Sequence, residues 1–102
     1  PAMYQAFHGI VPVARRSEPG TLYDVVGPVC ESGDWLGRDR TLAARPGELL
    51  AVLSAGAYCM AMSSNYNTRG RPAEVLVDGA LAHVIRERED IADQLRKEKL
   101  LA

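Results

Sequence analysis

A cysteine and a glutamate stand side by side in "VVGPVCESGDWLG", residues 25–37, where an apolar run becomes acidic and glycine-rich. Cys30 is therefore expected at the rim of the core, where a strand runs out into a polar turn. Nearby carboxylates on Glu31 and Asp34 favour a neutral thiol, which suits a proton donor better than a nucleophile. Glu31 could bind a substrate ammonium group. The alternative readings are a small buried apolar cysteine and a solvated turn carboxylate.

Two tyrosines could also contribute to a binding site. Tyr58 follows the small residues 55–57, where a ligand could approach the backbone closely. Core packing with the hydroxyl at the boundary explains Tyr58 equally well, and Tyr4 could be a frayed terminal aromatic. The polar segment "SSNYNTRGR", residues 63–71, could form either an anion site or a plain loop.

Composition limits the classes of function. The chain has 102 residues, which is one domain, and a formal net charge of -1 gives no reason to propose nucleic acid or membrane partners. No apolar stretch approaches the roughly 20 residues of a membrane span, and no signal peptide is evident. Cys30 and Cys59 lack the partners of a zinc site, so free thiols in a reducing cytoplasm are expected.

Several common catalytic motifs are also missing from the sequence. No glycine-rich phosphate loop opens a helix, and no Ser/His/Asp set is evident. Lys97 and Lys99 lie in a charged C-terminal segment, whereas a Schiff-base lysine needs a desolvated pocket. The residues therefore supply parts of a site and not a complete one.

Short strands separated by turns must position these residues. Strands are predicted within residues 7–13, 22–30 and 45–54, with Pro12 favouring an edge position. Asp78-Gly79 between apolar runs predicts a hairpin. This organisation favours a mainly β fold, a small antiparallel β-barrel or sandwich.

Two segments have helical character. Residues 55–67 are ambiguous and would suit one or two helical turns after the central strands. The tail, residues 89–102, is predicted to be helical, since acidic residues lead and basic residues follow, as the helix dipole prefers.

Three stretches, "PAMYQAFHGI", "GPVCESGDWL" and "LLAVLSAGAYCMAMSSNYNTRGRPAEVLVDG", together resemble the C-terminal part of bacterial diaminopimelate decarboxylases. These enzymes belong to the fold-type III pyridoxal-phosphate decarboxylases. The resemblance runs from Pro1 to about Glu89. Members of the family join an N-terminal β/α barrel to a C-terminal β domain and work as homodimers. The resemblance implies that residues 1–102 form the β domain, without the barrel that carries the cofactor lysine and phosphate-binding glycines.

The resemblance also implies a role for each candidate residue. Cys30 would protonate the α-carbon after carbon dioxide leaves, reaching into the neighbouring subunit's site, and Glu31 would hold the ammonium at the far stereocentre. Tyr58 would lie against the cofactor, near its phosphate and the substrate, and Tyr4 would hydrogen-bond the distal carboxylate.

The activity implied for the complete enzyme is decarboxylation of meso-2,6-diaminopimelate to L-lysine in the cytoplasm. Its cofactor would be pyridoxal 5'-phosphate, bound mainly by the barrel, which acts as an electron sink. The isolated chain is expected to be inactive. The alternative is a stand-alone, non-catalytic β domain that acts as a binding or dimerisation module.

Overall fold

The computed structural model describes residues 1 and 4–102, and the elements are short. The strands are β1 (Ile10–Pro12), β2 (Thr21–Val26), β3 (Trp35–Leu42), β4 (Leu50–Val52), β5 (Glu74–Asp78) and β6 (Leu81–Arg86). The helices are α1 (Gly56–Ala61), a 3₁₀ turn (Tyr66–Thr68) and α2 (Ile91–Leu95).

The chain divides into two compact units, residues 1–59 and 60–102. In the first unit β1 pairs with β4 and β2 pairs with β3, while in the second unit β5 pairs with β6. All three pairs are antiparallel. The prediction of a mainly β fold built from small antiparallel sheets is confirmed, and within the described residues the sheets are two-stranded and no ladder closes into a barrel.

The interior of the first unit lies where β1 packs against β3. Ile10 and Leu42 are its buried apolar side chains. The Cδ1 atom of Ile10 lies 2.8 Å from the position that a β-carbon on Gly37 would occupy, so the missing side chain lets the two strands approach. Irregular register between β2 and β3 is accommodated at Asp39, which has a φ of 53° and donates its N–H to Asp24 Oδ1 at 2.9 Å.

The second unit contains the hairpin predicted at Asp78-Gly79. Asp78 pairs with Leu81 across the turn, and Gly79 has a φ of 58°, which glycine adopts without steric cost. The predicted hairpin is therefore confirmed.

The segment after the hairpin leads into α2. Asp90 caps this helix, because its carboxylate accepts the N–H of Asp93 at 2.8 Å and the carboxylate of Asp93 accepts the N–H of Asp90 at 3.0 Å. The helix ends at Leu95, so it is shorter than the helical tail predicted for residues 89–102.

Many large apolar side chains lie at the surface of both units. Phe7, Leu22 and Val26 are exposed in the first unit, and Val77 and Val84 are exposed in the second. Exposed apolar side chains of this kind commonly mark surfaces that other protein covers.

No helix in the described part of the chain has both the length and the apolar composition needed to cross a membrane.

Candidate functional site

The turn that carries Cys30 is closed by backbone hydrogen bonds. The predicted strand over residues 22–30 stops earlier, at Val26. The N–H of Gly27 donates to the carbonyl of Asp34 at 2.8 Å, and the N–H of Asp34 donates to the carbonyl of Glu31 at 3.0 Å. The expectation that Cys30 ends a strand is therefore wrong, because residues 27–34 fold back into a loop of their own.

Asp34 holds this loop with its side chain as well. Its Oδ2 atom accepts the N–H of Val29 at 2.8 Å. The carboxylate lies directly over Gly27, where a β-carbon would come within 2.1 Å of Oδ2. Gly27 and Asp34 are therefore the structural residues of the turn, and their types follow from this close approach.

Cys30 and Glu31 are presented at the surface by that framework. Cys30 is an exposed free thiol, and Glu31 is also exposed. The Oε1 atom of Glu31 has only weak local contacts, at 3.4 Å from both Ser32 Oγ and Gly33 N. A thiol and a carboxylate held side by side on an ordered, accessible turn can serve a ligand that approaches from outside the unit.

Tyr4 and Tyr58 lie together in the same unit. Their ring centroids are 6.1 Å apart, and Tyr58, which lies in α1, is exposed. Within the described residues no hydrogen bond or ring contact joins this tyrosine pair to Cys30 or Glu31. The structure therefore brings the predicted site residues together as two pairs.

His8 and Cys59 surround the hydroxyl of Tyr4. His8 Nε2 lies 3.2 Å from the hydroxyl oxygen, and the Sγ atom of Cys59 lies 3.5 Å from it. A hydroxyl donates one hydrogen and accepts others, so the Tyr4 hydroxyl can bond to both neighbours at once.

The sequence interpretation missed this cluster, because it gave His8 no role and expected Cys59 only as a free thiol. Cys59 is a free thiol, but it lies 55 residues from Tyr4 along the chain. Only the antiparallel pairing of β1 with β4 brings the two segments together, as the hydrogen bond from Leu53 N to the Gly9 carbonyl at 2.8 Å shows. Local spacing carries no signal for such a contact.

The polar segment 63–71, left open between an anion site and a loop, is occupied by internal contacts. The carboxylate of Glu89 accepts the backbone N–H of Arg71 at 2.7 Å and the side-chain amide of Asn65 at 2.6 Å. These donors lower the pKa of Glu89, the Arg71 N–H being the first cause. Arg71 also donates to the carbonyl of Ser63 at 3.2 Å. The segment is thus tied down as a structural loop.

Metal ligation has no support in the described residues, since no group of three or more histidine, cysteine or acidic side chains is placed to hold an ion.

The profile of the family described as pyridoxal-dependent decarboxylase, C-terminal sheet domain, matches residues 1–56. The diaminopimelate decarboxylase of Pseudomonas aeruginosa is 54% identical over 101 residues, which are 99% of this chain and 24% of that enzyme. The diaminopimelate decarboxylase of Vibrio cholerae is 50% identical over 101 residues, with the same coverage of 99% and 24%.

A solved structure gives the same result. The crystal structure of diaminopimelate decarboxylase from M. jannaschii in co-complex with L-lysine superposes with a TM-score of 0.90 at 41% identity. The match covers 99% of this chain and 23% of that one. The chain therefore spans about a quarter of the length of the relatives it matches.

Proposed function

Because the chain belongs to the family of C-terminal sheet domains of pyridoxal-dependent decarboxylases, we propose that residues 1–102 form the C-terminal β domain of a diaminopimelate decarboxylase. The complete enzyme would remove carbon dioxide from meso-2,6-diaminopimelate to give L-lysine. The observation that carries this proposal is identity of 50–54% across nearly the whole chain to enzymes of that name. No observation favours the alternative of a stand-alone binding or dimerisation module.

The residues present fit pyridoxal 5'-phosphate only at its edge. Lys97 and Lys99 follow α2 and are exposed, so neither lies in the desolvated pocket that a cofactor lysine requires. The exposed ring of Tyr58 can lie against a cofactor held by another domain. When bound, the cofactor supplies the electron sink that makes loss of carbon dioxide feasible.

Cys30 is the proposed proton donor. A carbon that has lost carbon dioxide needs a proton on one face, and the donor must be neutral, accessible and fixed in position. The thiol of Cys30 is exposed, and the hydrogen bonds between Gly27 and Asp34 fix the turn beneath it. These features support delivery of the proton into a site that lies outside this chain.

Glu31 and Tyr4 are the residues proposed to bind the end of the substrate that does not react. That end carries an ammonium and a carboxylate. Glu31 offers an exposed carboxylate for the ammonium, and the hydroxyl of Tyr4 is a group that can donate to the carboxylate. Separate groups would thus perform proton transfer and substrate recognition.

The complete enzyme is proposed to be a cytoplasmic homodimer in which the Cys30 turn enters the partner's site. The many exposed apolar side chains of the chain supply surface for such contacts. In that setting the short ladders would be completed into the β-barrel or sandwich expected from the sequence, because two-stranded sheets bury little by themselves.

Substitution of Cys30 tests the proton-donor role. In the complete enzyme, Cys30→Ala is expected to lower kcat about 10²–10⁴-fold, the range for loss of a general acid, with cofactor affinity unchanged. Cys30→Ser is the matched control, since its hydroxyl is similar in size to the thiol but is a weaker acid. Equal losses of turnover and cofactor affinity would show that the cysteine is structural.

Hybrid dimers test the placement of Cys30 across the interface. Cys30→Ala subunits are mixed with subunits that carry an alanine in place of the barrel's cofactor lysine, each variant being inactive alone. About half of the dimers are hybrids with one restored site of two, so about a quarter of wild-type activity should return. If the mixture stays inactive, Cys30 acts within its own subunit.

A further inference from the structure

We propose that His8 positions the hydroxyl of Tyr4 and controls whether that hydroxyl can donate to the distal carboxylate of the substrate. The inference rests on the proposed function, because it concerns the same recognition site. It adds His8 as a positioning residue, which does not itself contact the ligand, to the residues proposed to bind the unreacting end.

The ring of His8 is held rigidly. The side chain is 9% exposed, and its Nδ1 atom lies 2.9 Å from the carbonyl oxygen of Leu53. Its own backbone carbonyl accepts Nη1 of Arg40 at 2.7 Å. A ring fixed in this way can fix the orientation of a neighbour.

The hydrogen bonds of His8 determine its tautomer. A carbonyl can only accept, so Nδ1 carries the ring hydrogen and donates it to Leu53. Nε2 then has a lone pair and accepts the hydroxyl hydrogen of Tyr4 at 3.2 Å. The thiol of Cys59, 3.5 Å from the hydroxyl oxygen, is consequently the donor in its contact with Tyr4. The hydroxyl of Tyr4 is thus oriented from both sides.

This arrangement has a consequence for carboxylate binding. A carboxylate needs the hydrogen of Tyr4, and neutral His8 already holds it. The hydrogen on Nδ1 of His8 cannot serve the ligand instead, because it is donated to the Leu53 carbonyl. If His8 takes up one proton, Nε2–H can donate to the Tyr4 oxygen and free the Tyr4 hydrogen for the ligand. Carboxylate binding is therefore coupled to protonation of His8.

No carboxylate contacts His8 among the described residues. The titratable and charged groups in contact with His8, directly or through a shared hydroxyl, are Tyr4, Cys59 and Arg40. The Arg40 guanidinium is the permanent charge among them. The incoming carboxylate supplies the negative charge that this group of residues lacks.

L-lysine is a suitable probe of this site in the complete enzyme. Loss of carbon dioxide from one end of diaminopimelate leaves the carboxylate and ammonium of the other end intact in the product. Calorimetric titration with L-lysine therefore measures recognition of that end without turnover, and the relative from M. jannaschii was crystallised in co-complex with this molecule.

Two substitutions of His8 separate its contacts. The amide of His8→Asn can still donate to the Leu53 carbonyl but is too short to reach Tyr4. The longer amide of His8→Gln reaches Tyr4, where it can donate or accept, and it does not titrate. At about pH 5, the acidic end of the range in which histidines change charge, we expect His8→Asn to weaken L-lysine binding about tenfold or more, the effect of losing support for a charge-assisted hydrogen bond. His8→Gln should bind nearly as tightly as wild type.

The pH profile and a double substitution identify the mechanism. Between about pH 5 and 8, where histidines change charge, wild-type affinity should fall as pH rises, by up to about tenfold per pH unit. In His8→Gln this dependence should be lost. His8→Asn should cause no further loss in a Tyr4→Phe background, because His8 acts through that hydroxyl.

The outcomes decide the inference. Unchanged affinity in His8→Asn at about pH 5, an unaltered pH profile in His8→Gln, or additive losses with Tyr4→Phe would each overturn it. If His8→Asn fails to fold, the His8→Gln profile still decides. If the wild-type enzyme decarboxylates diaminopimelate but the His8 variants do not behave as expected, only the role of His8 is refuted. A wild-type enzyme that neither decarboxylates diaminopimelate nor binds L-lysine refutes the proposed function and this inference with it.

Discussion

Replacing Gly27 with alanine is expected to disrupt the turn that presents Cys30 and Glu31. A β-carbon at residue 27 would lie 2.1 and 2.2 Å from the two carboxylate oxygens of Asp34, far inside van der Waals contact. The side chain of Asp34 is short, so it can move away only by releasing the N–H of Val29 or by displacing the backbone.

The size of the effect follows from that lost hydrogen bond. A hydrogen bond with a charged partner contributes about 1.5–3 kcal/mol, and the partial exposure of Val29 favours the lower end. Local opening of the turn should therefore become about tenfold more frequent. A displacement of about 1 Å at Cys30 would reduce turnover on the order of 10²-fold.

Hydrogen exchange and steady-state kinetics of the complete enzyme measure these effects. Exchange at Val29 should accelerate in Gly27→Ala, and kcat should fall more than KM changes. Gly33→Ala is a matched control in the same turn, because a β-carbon there meets only Glu31 Oε1, at 3.9 Å. If Gly27→Ala keeps wild-type protection and turnover, the proposed architecture of the turn is refuted.

Three further outcomes are expected. Glu31→Gln should weaken recognition of diaminopimelate by about 1–3 kcal/mol, seen as a raised KM; an unchanged KM would exclude the ammonium role. The pKa of Glu48 is lowered from 4.5 to about 2, first by the Arg16 side chain and then by the N–H of Arg45. The stability that ionised Glu48 gives the folded chain is thus present above pH 4.5 and is lost as pH falls towards 2. NMR titration of the Glu48 carboxyl in Arg16→Gln should give a midpoint nearer 4.5. The isolated 102-residue chain should neither acquire visible absorbance with pyridoxal phosphate nor release carbon dioxide from diaminopimelate; either signal would contradict the division of labour proposed here.

The hairpin was predictable because its signal is local. Asp78-Gly79 lies between apolar runs, and the glycine has the positive φ that a tight turn requires. Strand β3, Trp35–Leu42, gave no such signal and was not predicted. Its charged residues interrupt the alternation of apolar side chains, and Arg40 is half-buried because its guanidinium binds the His8 carbonyl and lies 3.9 Å from the centre of the Phe7 ring.

The candidate site also has features that were predictable from local sequence and features that were not. Cys30 and Glu31 are neighbours in the chain, so their adjacency could be predicted, whereas the turn that presents them depends on Asp34 folding back over Gly27. The contacts of Tyr4 depend on the pairing of β1 with β4, and long-range pairing leaves no trace in local composition. The resemblance to a family supplied roles for single residues and said nothing about the hydrogen bonds that orient them.

The small interior described above has a consequence for the fate of this domain. With Ile10 and Leu42 as its buried apolar side chains in the described residues, it has little folding free energy to spare. Stability that comes from surfaces covered by other protein rises and falls with the occupancy of those surfaces. In the proposed dimer, dilution would thus lower the stability of this domain without any change in its own sequence.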